Sequence, residues 1–438
     1  MANSYLSHTQ SAGTSTRKFT YSVWMKRSSI STSGSYNSGF FNCWGDANNR
    51  LGLYFYENKL FLYGVTGGSA NISVRTNRLF RDTSAWYHIV LAVDTTQGTA
   101  ADRIKIYVNG VQETSLDQTT YPAQNFDFPT VGVNAKAIEI GRVNFGDQSS
   151  YYYMDGYLSH AAFVDGQQLA PTVFGSTDSS SGIWKFKSPS GVTWGTNGFH
   201  LKMENSAALG TDSSGNTNTF TVNGNLKQAV DTPSNVYATV NALQAWYPTS
   251  TTPVLSNGNN TIRTGKGSSS SAGYFYYPST LGMPSSGKWY FEVKPTETTA
   301  NCLIGIVGKQ PTSNAKLQEQ ADGYMYSKNG NKRNNNVQSS YGDTYDTNDI
   351  IGVAVDLDNN KIYFSKNGTY QNSGVPTSGS TGTGAAYTIG TSTTSDYFAV
   401  VGDTDYAEQS TFQFNFGNGY FGTTAITSAG SNGNGSLF

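Results

Sequence analysis

The run Arg103-Ile104-Lys105-Ile106-Tyr107-Val108-Asn109-Gly110 carries the decisive pattern. Ile104, Ile106 and Val108 alternate with Lys105 and Tyr107, the period of two that sets apolar side chains on one face of a strand. Asn109-Gly110 follows at once. Both residue types tolerate the positive φ of a type I′ turn, so the run reads as one arm of a β-hairpin. The same grammar recurs downstream. Over residues 288–293, Trp289, Phe291 and Val293 share one face, and Tyr290 and Glu292 the other. Residues 352–357 and 361–366 flank Asp358-Asn359-Asn360 as a second hairpin. Apolar spacing at i, i+3, i+4, i+7 is not sustained anywhere, and Gly, Ser, Thr and Asn recur throughout. The expectation is an all-β protein of two antiparallel β-sandwiches, with helix below about a tenth of residues against an ordinary ~30–35%.

The chain has 438 residues, enough for two to four domains at roughly 100–200 residues each. Charged residues make up 13%, about half the ~25% of an ordinary soluble protein, and aromatics also reach 13%. High aromatic content with a net charge of −1 is the reverse of a disordered composition. That charge supplies no field to steer the protein onto nucleic acid or an anionic membrane, so neither is expected as a partner. The apolar runs 86–93 and 350–355 fall far short of the ~18 residues of a membrane span. Met1-Ala2-Asn3-Ser4-Tyr5 has neither a basic nor an apolar leader region, so no cleavable secretion signal is expected. Cys43 and Cys302, 259 positions apart, read as two separate buried thiols.

Composition divides the chain into a first sandwich over 1–175, a connector over 176–235, a second sandwich over 236–424 and a tail over 425–438. The connector is rich in Ser, Gly and Asn but carries Trp184, Trp194, Phe199 and Phe220, aromatics that imply packing on a neighbour. Trp86 and Trp289 lie in apolar strand patterns and are expected in the cores. His88, inside an apolar strand, reads as a hydrogen-bonded sheet residue.

Family resemblances attach to particular segments. Trp86-Tyr87-His88-Ile89-Val90-Leu91-Ala92-Val93-Asp94, Ile106-Tyr107-Val108-Asn109-Gly110, Ile138-Glu139-Ile140-Gly141-Arg142 and Ala162-Phe163-Val164-Asp165 resemble, in that order, the concanavalin A-like laminin G/pentraxin family. Gly287-Lys288-Trp289-Tyr290-Phe291-Glu292-Val293, Ile304-Gly305-Ile306, Ile362-Tyr363-Phe364-Ser365-Lys366-Asn367-Gly368 and Phe414-Asn415-Phe416-Gly417 resemble a SPRY domain. The connector, with Asn197-Gly198-Phe199-His200-Leu201 and Leu209-Gly210-Thr211-Asp212-Ser213-Ser214-Gly215-Asn216, is similar to one found in virion proteins of tailed, especially marine, bacteriophages. That resemblance implies a tail-fibre, tail-tip or capsid-surface protein, assembled in the host cytoplasm with other virion proteins and located in the virion.

A catalytic reading finds little to stand on. None of His8, His88, His160 and His200 lies in a Gly-x-Ser-x-Gly or His-Glu-x-x-His setting. No strand carries the paired carboxylates of a sugar-cleaving enzyme, and Glu292 stands between Tyr290 and Lys294 on its face. Gly191-Val192-Thr193-Trp194 resembles the end of a sialidase Asp-box turn, but Pro189 occupies the Asp position. Gly417-Asn418-Gly419 lacks the helix that would hold a phosphate. No cofactor is therefore expected beyond a structural calcium, for which Asp46, Asn48, Asp94 and Asp212 are the candidate ligands, although the same residue types also form turns.

Tyrosine is the informative surplus, with 29 residues against 28 Lys and Arg together. Tyr324, Tyr326, Tyr341 and Tyr345 stand in a Gly/Asn/Ser-rich segment that reads as exposed loop. Alternation must also turn outward at least one of Tyr151, Tyr152 and Tyr153. Exposed tyrosines suit stacking on sugar rings or protein interfaces, a contact that salt weakens little. The expectation is a non-enzymatic, homo-oligomeric surface protein that recognises a host glycan or protein. The alternatives are a purely structural virion component, a polysaccharide depolymerase and a cellular SPRY adaptor.

Overall fold

The computed structural model describes residues 3–30, 36–144, 151–243, 253–265, 275–300, 302–308, 317–392, 396–403, 408–426, 430–432 and 435–437. The chain forms two compact units, Met1–Gln228 with Thr232–Val236, and Tyr237–Phe438 with Ala229–Asp231. The architecture is all-β. Among the described residues the single α-helix is the four-residue turn Ala100–Arg103, and no helix is long and apolar enough to cross a membrane.

Two antiparallel sheets make the first unit. One has eight strands, in the order Leu116–Thr120, Ser69–Thr76, Lys59–Thr66, Asn49–Tyr56, Tyr36–Asp46, Ala137–Ile140, Tyr5–Thr9 and Thr221–Asn223. The other has six, in the order Phe199–Leu201, Gly156–Asp165, Lys18–Arg27, Trp86–Asp94, Ile104–Val108 and Val111–Gln112. Register places Tyr21 opposite Leu91 and Val23 opposite Ile89. These residues meet Phe41, Leu53, Phe55 and Leu62 of the larger sheet in one core. Asn109 and Gly110 take φ of 48° and 82°, the type I′ turn their identities predict.

The run from Ile89 to Val93 is continuously apolar because both of its faces are covered. On its outer face Val90 packs with Ala162, Val164 and Phe174 beneath Val192 and Trp194. The segment set apart by composition as a connector is thus built into the first unit. Phe199–Leu201 and Thr221–Asn223 extend the two sheets at their edges, and residues 174–194 cover the six-stranded one.

In the second unit, one sheet runs Val254–Ser256, Thr261–Arg263, Thr411–Asn415, Lys288–Glu297, Ile351–Asp356, Lys361–Lys366 and Thr369–Tyr370, with Tyr387–Thr388 paired to Lys361–Lys366. The other runs Phe275–Met283, Tyr397–Asp403, Cys302–Val307, Gly323–Ser327, Asn331–Asn334 and Val337–Ser340. Phe291, Val293, Val353, Val355, Phe412 and Phe414 face Ile304, Ile306 and Val401 across the core. In the tail, Gly430–Asn432 pairs with Gly435–Leu437.

Trp289 corrects an expectation. It lies on the core-facing side of its strand but at the strand's end, beyond the reach of the opposite sheet. It is 40% exposed, and its indole N–H donates to the Ser286 carbonyl at 3.1 Å. Trp86 is buried as its pattern predicts.

Candidate functional site

The second unit carries an open groove of about 510 Å³. Its walls come from strand ends. Thr298, Thr299 and Ala300 follow Lys288–Glu297, Lys328 and Asn329 follow Gly323–Ser327, Thr344–Asp349 precede Ile351–Asp356, and Lys366 ends its strand, with Glu408 beside them. Four of the five charged groups in the groove form two ion pairs, with Glu408 the fifth. Lys328 Nζ stands 3.0 Å from Asp346 Oδ1 and donates to Thr298 Oγ1 at 2.9 Å. Lys366 Nζ lies 3.3 Å from Asp349 Oδ2 and donates to the Thr344 carbonyl at 2.7 Å. The Thr347 backbone N–H, with Lys328 and Thr298, draws the Asp346 carboxyl down to about 2. Burial raises Asp349, but the Asp346 N–H, Asn367 and Lys366 outweigh it and hold it below the usual carboxylate value. Both carboxylates are therefore ionised at neutral pH and offer acceptors, while the ammonium groups and Asn329 offer donors. Such a set forms hydrogen bonds to a polar ligand.

The tyrosines singled out in the sequence lie elsewhere. Tyr324, Tyr326, Tyr341 and Tyr345 are buried, at 6%, 0%, 8% and 1% exposure, and do not form an exposed loop surface. The physical reason is strand alternation. Gly323–Ser327 is a strand, so Tyr324 and Tyr326 both point into the core. Tyr341 and Tyr345 return after the polar Asn331–Ser340 hairpin and pack on Tyr326 at 5.9 and 5.5 Å. Their hydroxyls are used inside, Tyr341 donating to the Gly384 carbonyl at 3.1 Å and Tyr345 to the Cys302 carbonyl at 3.0 Å. The polar residues that suggested a loop belong to the hairpin, not to these rings. Of the four, Tyr345 alone borders the groove, as part of its buried wall.

Tyr151, Tyr152 and Tyr153 are half-buried and pair with Arg142–Asn144. Arg142 is held between rings, 3.5 Å above Tyr5 and 4.4 Å from Tyr151, and forms an ion pair with Glu139. Val143 plugs into the outer face of the eight-stranded sheet. A Cβ on Gly39 would stand 2.5 Å from the Val143 nitrogen, and one on Gly52 2.7 Å from Val143 Cγ1. Around Val143 gather Tyr54, Phe61, Tyr56 and Tyr63, an aromatic cluster that the sequence reading missed. Its signal was the alternation in Leu53-Tyr54-Phe55-Tyr56 and Leu60-Phe61-Leu62-Tyr63, where apolar or aromatic residues occupy both faces.

The calcium candidates are not brought together. Asp46 and Asn48 share one turn, where Asp46 Oδ1 accepts the Asn48 N–H at 2.8 Å. Asp94 accepts from the Thr96 N–H at 3.0 Å and from Gln97 at 2.8 Å, with Lys18 at 3.3 Å. Asp212 accepts from the His200 and Ser214 N–H groups at 2.9 and 2.8 Å. Among the described residues no three His, Cys, Asp or Glu side chains cluster as metal ligands. Asp94, Asp212 and Asp46 act as turn-formers, with their oxygens given to local donors. Cys43 and Cys302 are separate, buried free thiols, as expected. Burial pushes Cys43 far up and Cys302 to about 11, so neither is a ready nucleophile.

The model of the concanavalin A-like lectin/glucanases superfamily matches residues 1–166, and the SPRY domain model matches residues 288–418. A curated relative, the ATP-dependent RNA helicase Ddx1 of Drosophila melanogaster, is 35% identical over 96 residues. That match covers 22% of this chain and 12% of the helicase, so the chain spans only a small part of that relative. Among solved structures, the SPRY domain of human HERC1 is similar at 15% identity and a TM-score of 0.31, covering 40% of this chain and 96% of that one. A heptameric SAP-like pentraxin from Limulus polyphemus is similar at 16% identity and a TM-score of 0.32, covering 50% and 85%. A protein from Bacteroides ovatus, given only a provisional carbohydrate-binding assignment, is similar at 18% identity and a TM-score of 0.33, covering 53% and 59%. The chain thus carries a concanavalin A-like domain and, C-terminal to it, a SPRY domain.

Proposed function

We propose that this chain is a non-enzymatic recognition protein whose SPRY domain binds a polar ligand, a glycan or a peptide, in the groove between Thr298 and Lys366. The observation that carries this reading is the pairing inside the groove. Lys328 with Asp346 and Lys366 with Asp349 present fixed donors and acceptors whose charges cancel, and the depressed Asp346 carboxyl is unsuited to general-acid work. A lectin-type domain and a SPRY domain in one chain support a binding role. The finer assignment is to the surface of a tailed-phage virion, as an oligomeric tail or capsid appendage that meets the host. It rests on a resemblance that spans the whole chain, the two domains joined by the connector. The residues of that resemblance include Phe199 and Leu201, which are spent in the core of the first unit.

Glycan-array and peptide-array binding by the full chain tests the groove. Wild type should bind, Lys328→Ala and Asp346→Asn should each weaken binding about tenfold, and both should leave the melting temperature nearly unchanged. Binding unaffected by either substitution sinks the groove, and reducing ends released from host capsule would replace the reading with a depolymerase. Mass spectrometry of purified particles tests the virion assignment separately.

A further inference from the structure

Three imidazoles lie where residues 174–200 meet the outer face of the six-stranded sheet. His88 is stacked between Trp24 and Trp184, with ring centroids 4.8 and 6.0 Å away. The Trp184 indole N–H donates to His88 Nδ1 at 2.9 Å. An indole nitrogen can only donate, so Nδ1 carries the lone pair. The hydrogen therefore sits on Nε2, which reaches Ser22 Oγ at 2.8 Å. His160, at a bulge of Gly156–Asp165 with φ of 49°, stacks on Phe186 at 3.6 Å. His200 stacks on Trp194 at 5.9 Å and lies 5.7 Å from His160. His160 Nδ1 and His200 Nε2 are buried without a hydrogen-bond partner among the described residues.

Every proton added here meets opposition. On His88 it would set an N–H against the Trp184 N–H, donor to donor. On His160 and His200 it would put two cations side by side in a poorly solvated site. The neighbouring charges do not offset this. Lys202 opposes protonation of both His160 and His200, whereas Asp212 and Glu204 favour it only at His200. On the strands packed on His88, Lys26 lies two residues beyond Trp24, and Lys185, next to Trp184, is paired with Asp178 at 2.8 Å, so burial and not a neighbouring charge governs His88. Burial, the largest effect at all three, lowers His88 to about 3 and His160 and His200 to about 4.

We propose that the Trp184–Phe186 strand and its flanks form an acid-released cover, which lifts from the six-stranded sheet when His88, His160 and His200 take up protons. Release returns each imidazole to water, where its proton is held at ordinary strength, so proton uptake and opening are linked. What is uncovered is the apolar outer face with Val90, Ala162 and Val164. The opposite face of the same sheet stays committed to the main core, which makes the opening local.

Hydrogen exchange of the full chain between pH 7 and pH 4, corrected for intrinsic rates, tests this. Protection over residues 176–194 should fall at least tenfold, while Lys18–Arg27 and Asn49–Tyr56 stay protected. The double variant His160→Gln/His200→Gln should shift the loss to lower pH. Unchanged protection over 176–194, or a loss there no earlier and no larger than in the core strands, overturns the proposal. Histidine NMR titration of the wild type gives an independent reading should the variant not fold. Midpoints near 6.5 for His88, His160 and His200 would also overturn it.

Discussion

Replacing Tyr345 separates a core role from a surface role. The side chain is 1% exposed, its ring stands 5.5 Å from Tyr326, and its hydroxyl donates to the Cys302 carbonyl at 3.0 Å. That carbonyl also accepts the Lys328 N–H at 3.1 Å, so Tyr345→Phe leaves it one partner. The loss is a single neutral hydrogen bond without an orphaned acceptor, about 1 kcal/mol. Tyr345→Ala removes the ring as well and opens a cavity against Tyr326, and losing a large buried aromatic costs about 3–5 kcal/mol. Urea denaturation of the full chain, read by hydrogen exchange on Cys302–Val307 and Ile351–Asp356, reports the second unit without interference from the first. Phenylalanine should lower that unit's midpoint slightly and leave ligand binding intact. Alanine should lower it several-fold more. It should also weaken binding through the backbone, because the Tyr345 N–H donates to the Lys328 carbonyl at 3.0 Å beside the groove. An alanine variant with the wild-type midpoint and no binding would refute the argument, since a ring that matters only to ligand is not a core ring.

Three further outcomes follow from other sites. Gly110→Ala should destabilise the first unit by about 1–3 kcal/mol in thermal denaturation, because φ is 82° and a Cβ would stand 2.5 Å from the Trp184 ring. The first unit should lose stability as pH falls. The unfolded histidines bind protons from about 6.5 downward, whereas the folded ones do so only near 3 to 4. Their contribution is therefore complete above the unfolded value and is shed below it, on the order of 2–3 kcal/mol per imidazole by pH 4, measurable as a falling melting temperature. Removing divalent cations with EDTA should leave both the melting temperature and groove binding unchanged, because the oxygens of Asp94 and Asp212 are already held by protein donors.

The strands and turns were legible because their causes are local. Ile104, Ile106 and Val108 alternate within five residues, and Asn109-Gly110 declares its own turn. The tyrosines were misread because composition was averaged across an element boundary. The Asn and Ser of the Asn331–Ser340 hairpin were counted with Tyr324 and Tyr326, whose spacing of two already placed them on one strand face. Trp289 shows the limit of alternation, which gives the facing side but not where the opposite sheet ends. Pairing at long range left no trace in the sequence. Trp184 finds His88 across 96 positions, and the groove assembles Thr298, Lys328, Asp346 and Lys366 from four separate strand ends. Nothing in the neighbourhood of any one of them announces the others.

The double coverage of Trp86–Asp94 bears on how the molecule is made. When that strand leaves the ribosome, the residues that will shield its outer side, Trp184, Val192 and Trp194, are about a hundred residues from being synthesised, a wait of about 5–20 seconds. Ala162 and Val164 join Val90 only in the last part of that interval, and until residues 174–194 follow them the nascent sandwich shows all three to solvent as a sticky apolar strip. A gene truncated after residue 175 would make that interval permanent, and its product should accumulate in inclusion bodies, whereas one extended to residue 228 should remain in solution.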